Sequence, residues 1–310
     1  MTRLLLPLAL CLLASALSAQ VIINEISAAN MNGITDGDGD REDWIELYNA
    51  GPTTVNLGGW FLSDNPANPQ KWVIPSGQTI APGAYRLVFC SGKDKVAGIY
   101  LHTNFKITQT KGESVVLTRP NGTTADTYTF VVPNQGNHSY GRSPNAGPLW
   151  RIYYLPTPNA ANDTTAYLGY GPGVLASQAS GFYADSILVS LSANPGYQIR
   201  YTTNGYEPDT ASTLYQGPIS ITATTVLKAR TFSANPLILP GFVTANTYFI
   251  NVNHTIPVIS IAGDKVMTLL NGSQIRPFGS FEYFENNQLQ TEAYGEFNEH
   301  GNDSWGYPQR

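Results

Sequence analysis

The carboxylates between residues 35 and 43 are the side chains of this chain best suited to hold a metal ion. They alternate with other residues along a short glycine-containing segment, at Asp36, Asp38, Asp40 and Glu42. Calcium-binding loops present hard oxygen ligands at alternating positions in this way. The segment is not an EF-hand, because Arg41 and Leu47 stand where a glycine and a bidentate glutamate are needed. It therefore predicts a calcium site of another geometry, and the alternative is a solvated acidic loop between strands.

A second candidate chemistry is the stacking of flat aromatic rings on the apolar face of a sugar. The rings best placed for it lie near predicted turns in the second half of the chain, at Tyr201, Tyr206 and Tyr215. The alternative is that the aromatic rings fill a hydrophobic core, as we expect for Trp44 and Trp60 on alternating strands. The three tyrosines are therefore candidate glycan-binding residues.

No residue pattern predicts catalysis. Glycoside hydrolysis needs two carboxylates across a cleft, but Glu42, Asp43 and Glu46 are expected to be surface charge because Glu46 lies on an alternating strand. The sequence contains no Gly-x-Ser-x-Gly turn for a serine hydrolase. The four histidines are far apart and lack zinc-ligand spacing: His102, His138, His254 and His300. We expect His102 at a strand edge or turn, and we predict no catalytic residue and no cofactor apart from calcium.

Composition limits the class of protein. The chain has 310 residues, of which 42% are hydrophobic and 13% charged, so it is long enough for about two folded domains. Its 17 basic and 22 acidic residues give a net charge of −5. Without a basic cluster, this charge argues against nucleic acid as a partner.

Residues 1–19 have the pattern of a secretory signal peptide. Arg3 precedes an apolar run over 4–13, and small residues lead to a predicted cleavage after Ala19. The run is shorter than the ~20 residues of a membrane-spanning helix, so no transmembrane segment is expected. Cys11 does not favour a lipoprotein, because Leu10 stands where a small residue is needed. Cleavage leaves Cys90 as the sole cysteine, which predicts a buried thiol without a disulfide.

The predicted strands on either side of the acidic loop indicate a β-sandwich. Short runs of Val, Ile, Tyr, Phe and Thr alternate in polarity and are separated by Gly, Pro, Asn and Asp. The stretches DWIELYNAG, LGGWFLSD, IAPGAYRLVFCSG, HTNFKI and GESVVLTRPNG occur in the order typical of the lamin-tail domain family, which this part of the chain resembles. The resemblance covers residues 20–162 and implies an immunoglobulin-like module, whose bacterial members usually carry an acidic loop.

A linker is predicted over Pro156–Asp163, which is rich in Pro, Asn and Ala. A second alternating pattern follows, with IRYTTNGYEPDTAST, YQGPISI and VLKARTF. This order is similar to the β-sandwich found at the C-terminus of chitobiases and hexosaminidases. We assign residues 163–253 to this second module.

The final segment, 254–310, resembles the opening of the CotH-type kinase-like family. The similarity rests on Gly301-Asn302-Asp303-Ser304 and the following Pro308 and Arg310. In that family the nucleotide-binding lysine, catalytic aspartate and metal ligands would lie beyond Arg310. We therefore expect a fragment whose kinase-like domain is truncated.

The predicted fold is all-β: two consecutive immunoglobulin-like sandwiches and then the incomplete start of a kinase-like domain. The expected function is that of a secreted or cell-surface structural or binding protein, with adhesive or scaffold roles and an unknown protein or glycan partner. One alternative is the targeting and substrate-docking half of a CotH-like phosphotransferase. The other is carbohydrate binding by the second module.

Overall fold

A computed structural model describes residues 20–110, 112–130, 133–273 and 275–298 of the chain. Regular structure in these ranges is nearly all β, with a single short helix, which confirms the all-β prediction. The predicted signal peptide at 1–19 and the Gly301–Arg310 stretch lie outside the described residues. No helix within those four ranges is both long and apolar enough to cross a membrane.

The first module is a sandwich of two sheets. Its strands are β1 (Val21–Ser27), β2 (Trp44–Asn49), β3 (Val55–Asn56), β4 (Phe61–Ser63), β5 (Trp72–Val73), β6 (Thr79–Ile80), β7 (Tyr85–Phe89), β8 (Lys95–Ala97), β9 (Tyr100–His102), β10 (Glu113–Thr118), β11 (Thr124–Phe130), β12 (Ser139–Ser143), β13 (Leu149–Tyr153) and β14 (Ala166–Tyr167). The larger sheet has the order β14-β13-β12-β1-β2-β7-β9-β8, and β11-β10-β4-β5 form the facing sheet. Strand β14 continues the first sheet past the predicted boundary at residue 162.

The hydrophobic core of the first module lies between these sheets. Ile23, Ile45 and Leu47 from the larger sheet meet Leu62 and Leu117 from the facing sheet, and all five are fully buried. Cys90 is 1% exposed in the same core, which confirms the prediction of a buried thiol. Burial raises the pKa of this thiol well above its usual value, so it is not a ready nucleophile.

Part of the outer face of the larger sheet is buried as well, which the alternating pattern did not predict. Trp44 is 1% exposed there, in a small cluster with Leu87 and Phe89, while Trp60 lies in the main core. Glu46 is fully buried on the same outer face. The expectation that Glu46 is surface charge was therefore wrong, because a segment from elsewhere in the chain covers this face.

The second module contains β15 (Gly169–Tyr170), β16 (Leu175–Ala176), β17 (Gly181–Tyr183), β18 (Ile187–Val189), β19 (Leu191–Ser192), β20 (Tyr197–Thr202), β21 (Thr213–Leu214), β22 (Ile219–Ile221), β23 (Thr225–Ser233), β24 (Ile238–Leu239) and β25 (Thr244–Ile250). Its main sheet has the order β17-β25-β23-β20-β21. Smaller pairs, such as β18 with β22, face it across a core that contains Val189, Leu227 and Tyr248. The alternating runs of the sequence thus form the expected strands of a second sandwich.

A third unit follows, with β26 (Val258–Ala262), α1 (Val266–Leu270), β27 (Phe278–Glu285) and β28 (Gln288–Glu296). The strands form one antiparallel sheet in the order β26-β27-β28. The sheet packs on the second module: Glu282 accepts hydrogen bonds from Thr247, and Phe284 meets Phe182 and Phe249 edge-on. The assignment of this unit to a kinase-like domain stays a prediction.

Candidate binding sites

The acidic loop brings three of its four predicted ligands together. Ligand oxygens of Asp36, Asp38 and Asp40 lie within 4.8 Å of one another. Asp36 organises the loop, because its Oδ1 accepts hydrogen bonds from the backbone N–H groups of Asp38 (2.8 Å) and Asp40 (2.9 Å). The left-handed conformation of Gly39 (φ 86°) closes the turn. Local sequence therefore shapes this carboxylate cluster.

An ammonium group lies among these carboxylates, and the sequence did not predict it. Lys93 Nζ is 2.5 Å from Asp36, 2.8 Å from Asp38 and 2.7 Å from Asp40. It comes from the loop between β7 and β8, more than 50 residues away in sequence. A calcium ion would have to displace this ammonium group to use the same oxygens.

Glu42 lies at the margin of the cluster. Its Oε1 is 3.9 Å from Lys93 Nζ, and its Oε2 is 3.4 Å from Lys106 Nζ. Hydrogen bonds from Lys93 and Lys95 lower the pKa of Asp38 to about 2. Burial by itself would raise the pKa of Asp36, but hydrogen bonds from Lys93 and the loop backbone outweigh it and lower that pKa. Asp36 and Asp38 are thus held in their charged form.

A serine, a histidine and an aspartate meet beside this loop, but not as a catalytic relay. Ser91 Oγ is 3.0 Å from His102 Nδ1, and Asp36 Oδ2 is 3.9 Å from the same nitrogen. A relay requires the serine and the carboxylate on opposite ring nitrogens. His102 is fully buried in β9, so the expectation of an edge or turn position was wrong. Its pKa is lowered, chiefly by burial, which favours a neutral structural role.

The three candidate tyrosines do not form one platform. Tyr201 and Tyr215 meet edge to face, with ring centroids 6.4 Å apart, and both pack against the second core. Tyr206 is 51% exposed and, among the described residues, has no ring contact with either. Its carbonyl oxygen accepts a hydrogen bond from Thr202 Oγ1 (2.6 Å), which holds the turn. Tyr206 is the member of the three whose ring is available to a ligand.

Two buried glutamates form a polar network that sequence reasoning missed. Glu25 accepts hydrogen bonds from Ser139 Oγ, from the backbone N–H of Thr157 (3.1 Å) and from its hydroxyl (2.8 Å). Glu46 accepts from Asn24 Nδ2 (3.0 Å) and from the N–H of Asn159 (2.5 Å). The available signal was the polar Asn24-Glu25 pair inside the otherwise apolar first strand. The network binds the segment 156–163 to the outer face of the first sheet.

Each of the two sandwiches matches a known family over part of its length. Residues 14–131 match the Lamin Tail Domain family. Residues 178–236 match the Chitobiase/beta-hexosaminidase C-terminal domain family. No curated protein matches the chain. Both predicted resemblances are confirmed at the level of the module, and neither match extends into residues 254–310.

The first and second sandwiches are joined by a hydrogen-bonded interface. Tyr170 Oη accepts from the N–H of Gln135 (3.1 Å) and lies 2.8 Å from His138 Nδ1, and the two rings stack at 5.7 Å. Gln135 Nε2 also donates to the carbonyl of Pro240 (2.8 Å). Leu239 is buried in the core of the lamin-tail module. A residue of the second module, Leu239, thus forms part of the core of the first module.

The same interface fixes the protonation state of His138. Burial lowers the pKa of His138 to about 4, and the nearby positive charge of Arg230 acts in the same direction. The unprotonated Nδ1 of a neutral imidazole can accept a hydrogen bond from the hydroxyl group of Tyr170. The interface therefore depends on an uncharged histidine.

Proposed function

We propose that this chain is an exported structural or binding protein, in which the two sandwiches act as one rigid adhesive or scaffold unit at the cell surface. The observation that carries the proposal is the interface of His138, Gln135 and Tyr170, together with Leu239 in the first core. Modules joined by a flexible linker would not share a core or bury polar contacts. Both matched families are immunoglobulin-like modules that suit structural or binding roles.

Export is tested by expressing the full chain and analysing where it accumulates. We expect the protein outside the cytoplasm with a mature N-terminus at Gln20, read by mass spectrometry. Retention in the cytoplasm with residues 1–19 intact would contradict export. Binding is tested by adding the purified, labelled chain to cells and measuring saturable attachment, with a labelled unrelated immunoglobulin-like domain as the control.

Carbohydrate binding by the chitobiase-type module is the second candidate, and the exposure of Tyr206 favours it. A glycan array probed with the full chain should show binding that Tyr206→Ala removes. Tyr206→Phe keeps the flat ring and should retain binding, so the two variants separate stacking from a general effect on the fold. Equal binding by both variants would exclude Tyr206 as the contact.

Two further expectations stay predictions. Calcium binding at Asp36, Asp38, Asp40 and Glu42 requires displacement of Lys93, and its test is given in the Discussion. The phosphotransferase alternative is tested by reading the gene beyond codon 310. A lysine, aspartate and asparagine set able to hold ATP and magnesium would favour that alternative, and a stop codon would contradict it.

A further inference from the structure

A cleft lies where the three units of the chain meet. Met31 and Gln135 of the lamin-tail module, Arg230 and Phe242 of the chitobiase-type module, and Phe278 of the third unit all line it. Its volume is about 430 Å³, within the range of small-molecule sites in proteins. No single unit encloses this space, so it exists only in the assembled chain. We call it the junction cleft.

Arg230 is the positively charged residue that lines the junction cleft, and Glu207 lines it as well. Its Nε donates to the carbonyl of Gly241 (2.5 Å), and its Nη2 donates to Gln135 Oε1. Within the described ranges, no carboxylate lies within 4.0 Å of this guanidinium. The nearby carboxylate of Glu207 pairs through Oε1 with the fully buried Lys228 at 2.6 Å. A partly buried guanidinium without a counterion, which retains unused N–H groups, is a receptor for a carboxylate.

The cleft also contains unused hydrogen-bond acceptors. Asn134, which is 2% exposed, donates its Nδ2 to the carbonyl of His138 (2.9 Å). Its Oδ1 has no hydrogen-bond partner among the described residues, and neither does Oε1 of Gln109 or Oε2 of Glu207, which also line the cleft. Buried acceptors are normally satisfied, so three such oxygens at one cleft indicate a ligand that brings hydroxyl donors.

The remaining wall is apolar and aromatic. Phe278 and Tyr294 lie nearly parallel, at 25° with centroids 6.3 Å apart, and Tyr294 is 42% exposed. The ring of Phe278 packs directly on the backbone of Gly136 in the first module. A Cβ atom added to Gly136 would lie only 2.6 Å from Cζ of Phe278, so no larger residue fits there without a shift. These rings offer a fixed surface to a flat apolar face.

We propose that the junction cleft binds a small hydroxylated carboxylate, which is the chemistry of a sugar acid. The carboxylate pairs with Arg230, and ligand hydroxyls donate to Asn134 and Gln109. The apolar face of the ring lies against Phe278 and Tyr294. The site is separate from Tyr201, Tyr206 and Tyr215, so failure of either carbohydrate proposal leaves the other intact.

The test is a calorimetric titration of the full chain with methyl glucuronide and methyl galacturonide, and with the matching neutral methyl glucoside and methyl galactoside. We expect saturable binding of at least one sugar acid and binding of its neutral counterpart that is about tenfold weaker or more. Arg230→Gln should weaken sugar-acid binding by a similar factor. The matched control is Arg119→Gln, which removes the same charge from a hairpin outside the cleft and should leave binding unchanged.

If Arg230→Gln does not fold, a chemical-modification experiment on the chain without substitutions tests the same proposal. Butane-2,3-dione modifies accessible arginines, and peptide mapping measures the extent at each residue. Saturating sugar acid should protect Arg230 and leave Arg119 as reactive as before. Absence of binding by both sugar acids, equal binding of acid and neutral sugar, or no protection of Arg230 would each overturn the proposal.

Discussion

At the scale of single residues, the partner that the fold supplies decides the charge state of each buried carboxylate. Asp36 and Glu46 are both buried in the first module. Lys93 reaches Asp36, and the pKa of Asp36 is lowered. Glu46 is buried among neutral amides and near Glu25, and its pKa is raised to about 8, chiefly by burial. The two carboxylates therefore respond to pH in opposite ways.

The first prediction concerns Glu46. Its pKa rises from 4.5 to about 8 on folding, so the native state holds the extra proton between these values. The free energy of unfolding should therefore fall as pH rises through this window, by at most about 1.4 kcal/mol per pH unit. Glu46→Gln should flatten the slope between about pH 6 and 8, measured by denaturant unfolding of the full chain.

Asp43 provides the control for this measurement. Burial raises its pKa from 3.8 to about 6, so Asp43→Asn should change the slope below about pH 6 only. An unaltered slope above pH 6 in Glu46→Gln would show that Glu46 is ionised in the native state.

The second prediction concerns Lys93 and the acidic loop. Lys93→Ala leaves the buried Asp36 without its cation and should lower the free energy of unfolding by about 1–3 kcal/mol. Lys95→Ala is the matched control, because Lys95 is half-exposed and, among the described residues, pairs with Asp38 alone. The change should therefore stay within about 0.5 kcal/mol.

Calcium should raise the melting temperature of Lys93→Ala more than that of the unmodified chain, because the ion need not displace an ammonium group. Melting curves with added calcium and with chelator measure both proteins. Curves that coincide in both conditions for both proteins would exclude a stabilising calcium site.

At the scale of elements, the segment 156–163 is part of the first module's structure. A β-bulge between Ile23 and Glu25 places Asn24 and Glu25 toward this segment. Asn162 Nδ2 donates to the carbonyl of Asn24 (3.1 Å), and Thr157 donates to Glu25. A segment with the composition of a linker thus supplies backbone and side-chain hydrogen-bond donors to Glu25 and Glu46.

The third prediction tests this attachment. Thr157→Val keeps the size of the side chain but removes the hydroxyl that donates to Glu25 Oε2 at 2.8 Å. The free energy of unfolding should fall by about 1–3 kcal/mol, since the partner is a buried carboxyl group. Thr164→Val is the matched control, because its hydroxyl bonds to the carbonyl of Leu155 at an exposed site. Equal effects in chemical denaturation would refute a special role for Thr157.

At the scale of the whole molecule, a buried neutral histidine at the interface couples the two modules. The fourth prediction follows from the pKa of His138, which falls from 6.5 to about 4 on folding. The unfolded state gains its proton first, so the free energy of unfolding should fall as pH decreases from 6.5 toward 4. His138→Gln should remove this component.

Unfolding measured at several pH values, with the unmodified chain as reference, isolates the contribution of His138. His254→Gln is the control, because His254 is exposed and lies outside the interface. If His138→Gln and the unmodified chain keep the same acid slope, His138 does not titrate with folding.

The sequence predicted the strands well and their surroundings less well. The runs around Ile45 and Leu62 indicated a sandwich because apolar side chains repeat at the period of a strand, and both residues lie in its core. The same pattern led to the wrong prediction that Glu46 is exposed. Alternation indicates which residues share a face of the sheet, but it does not indicate whether another segment covers that face. The clustering of the carboxylates in the acidic loop could be predicted from the sequence because it also depends on local contacts. Asp36 accepts hydrogen bonds from backbone N–H groups only two and four residues ahead.

The sequence by itself therefore determined the all-β class, the two modules and the local shape of the acidic loop, because each depends on residues close together in the chain. The tertiary structure decided the rest. It placed Lys93 among the aspartates, covered Glu25 and Glu46 with the 156–163 segment, and left Arg230 beside the junction cleft. These placements depend on contacts between residues far apart in sequence, and burial at such contacts sets both the charge state and the available hydrogen bonds.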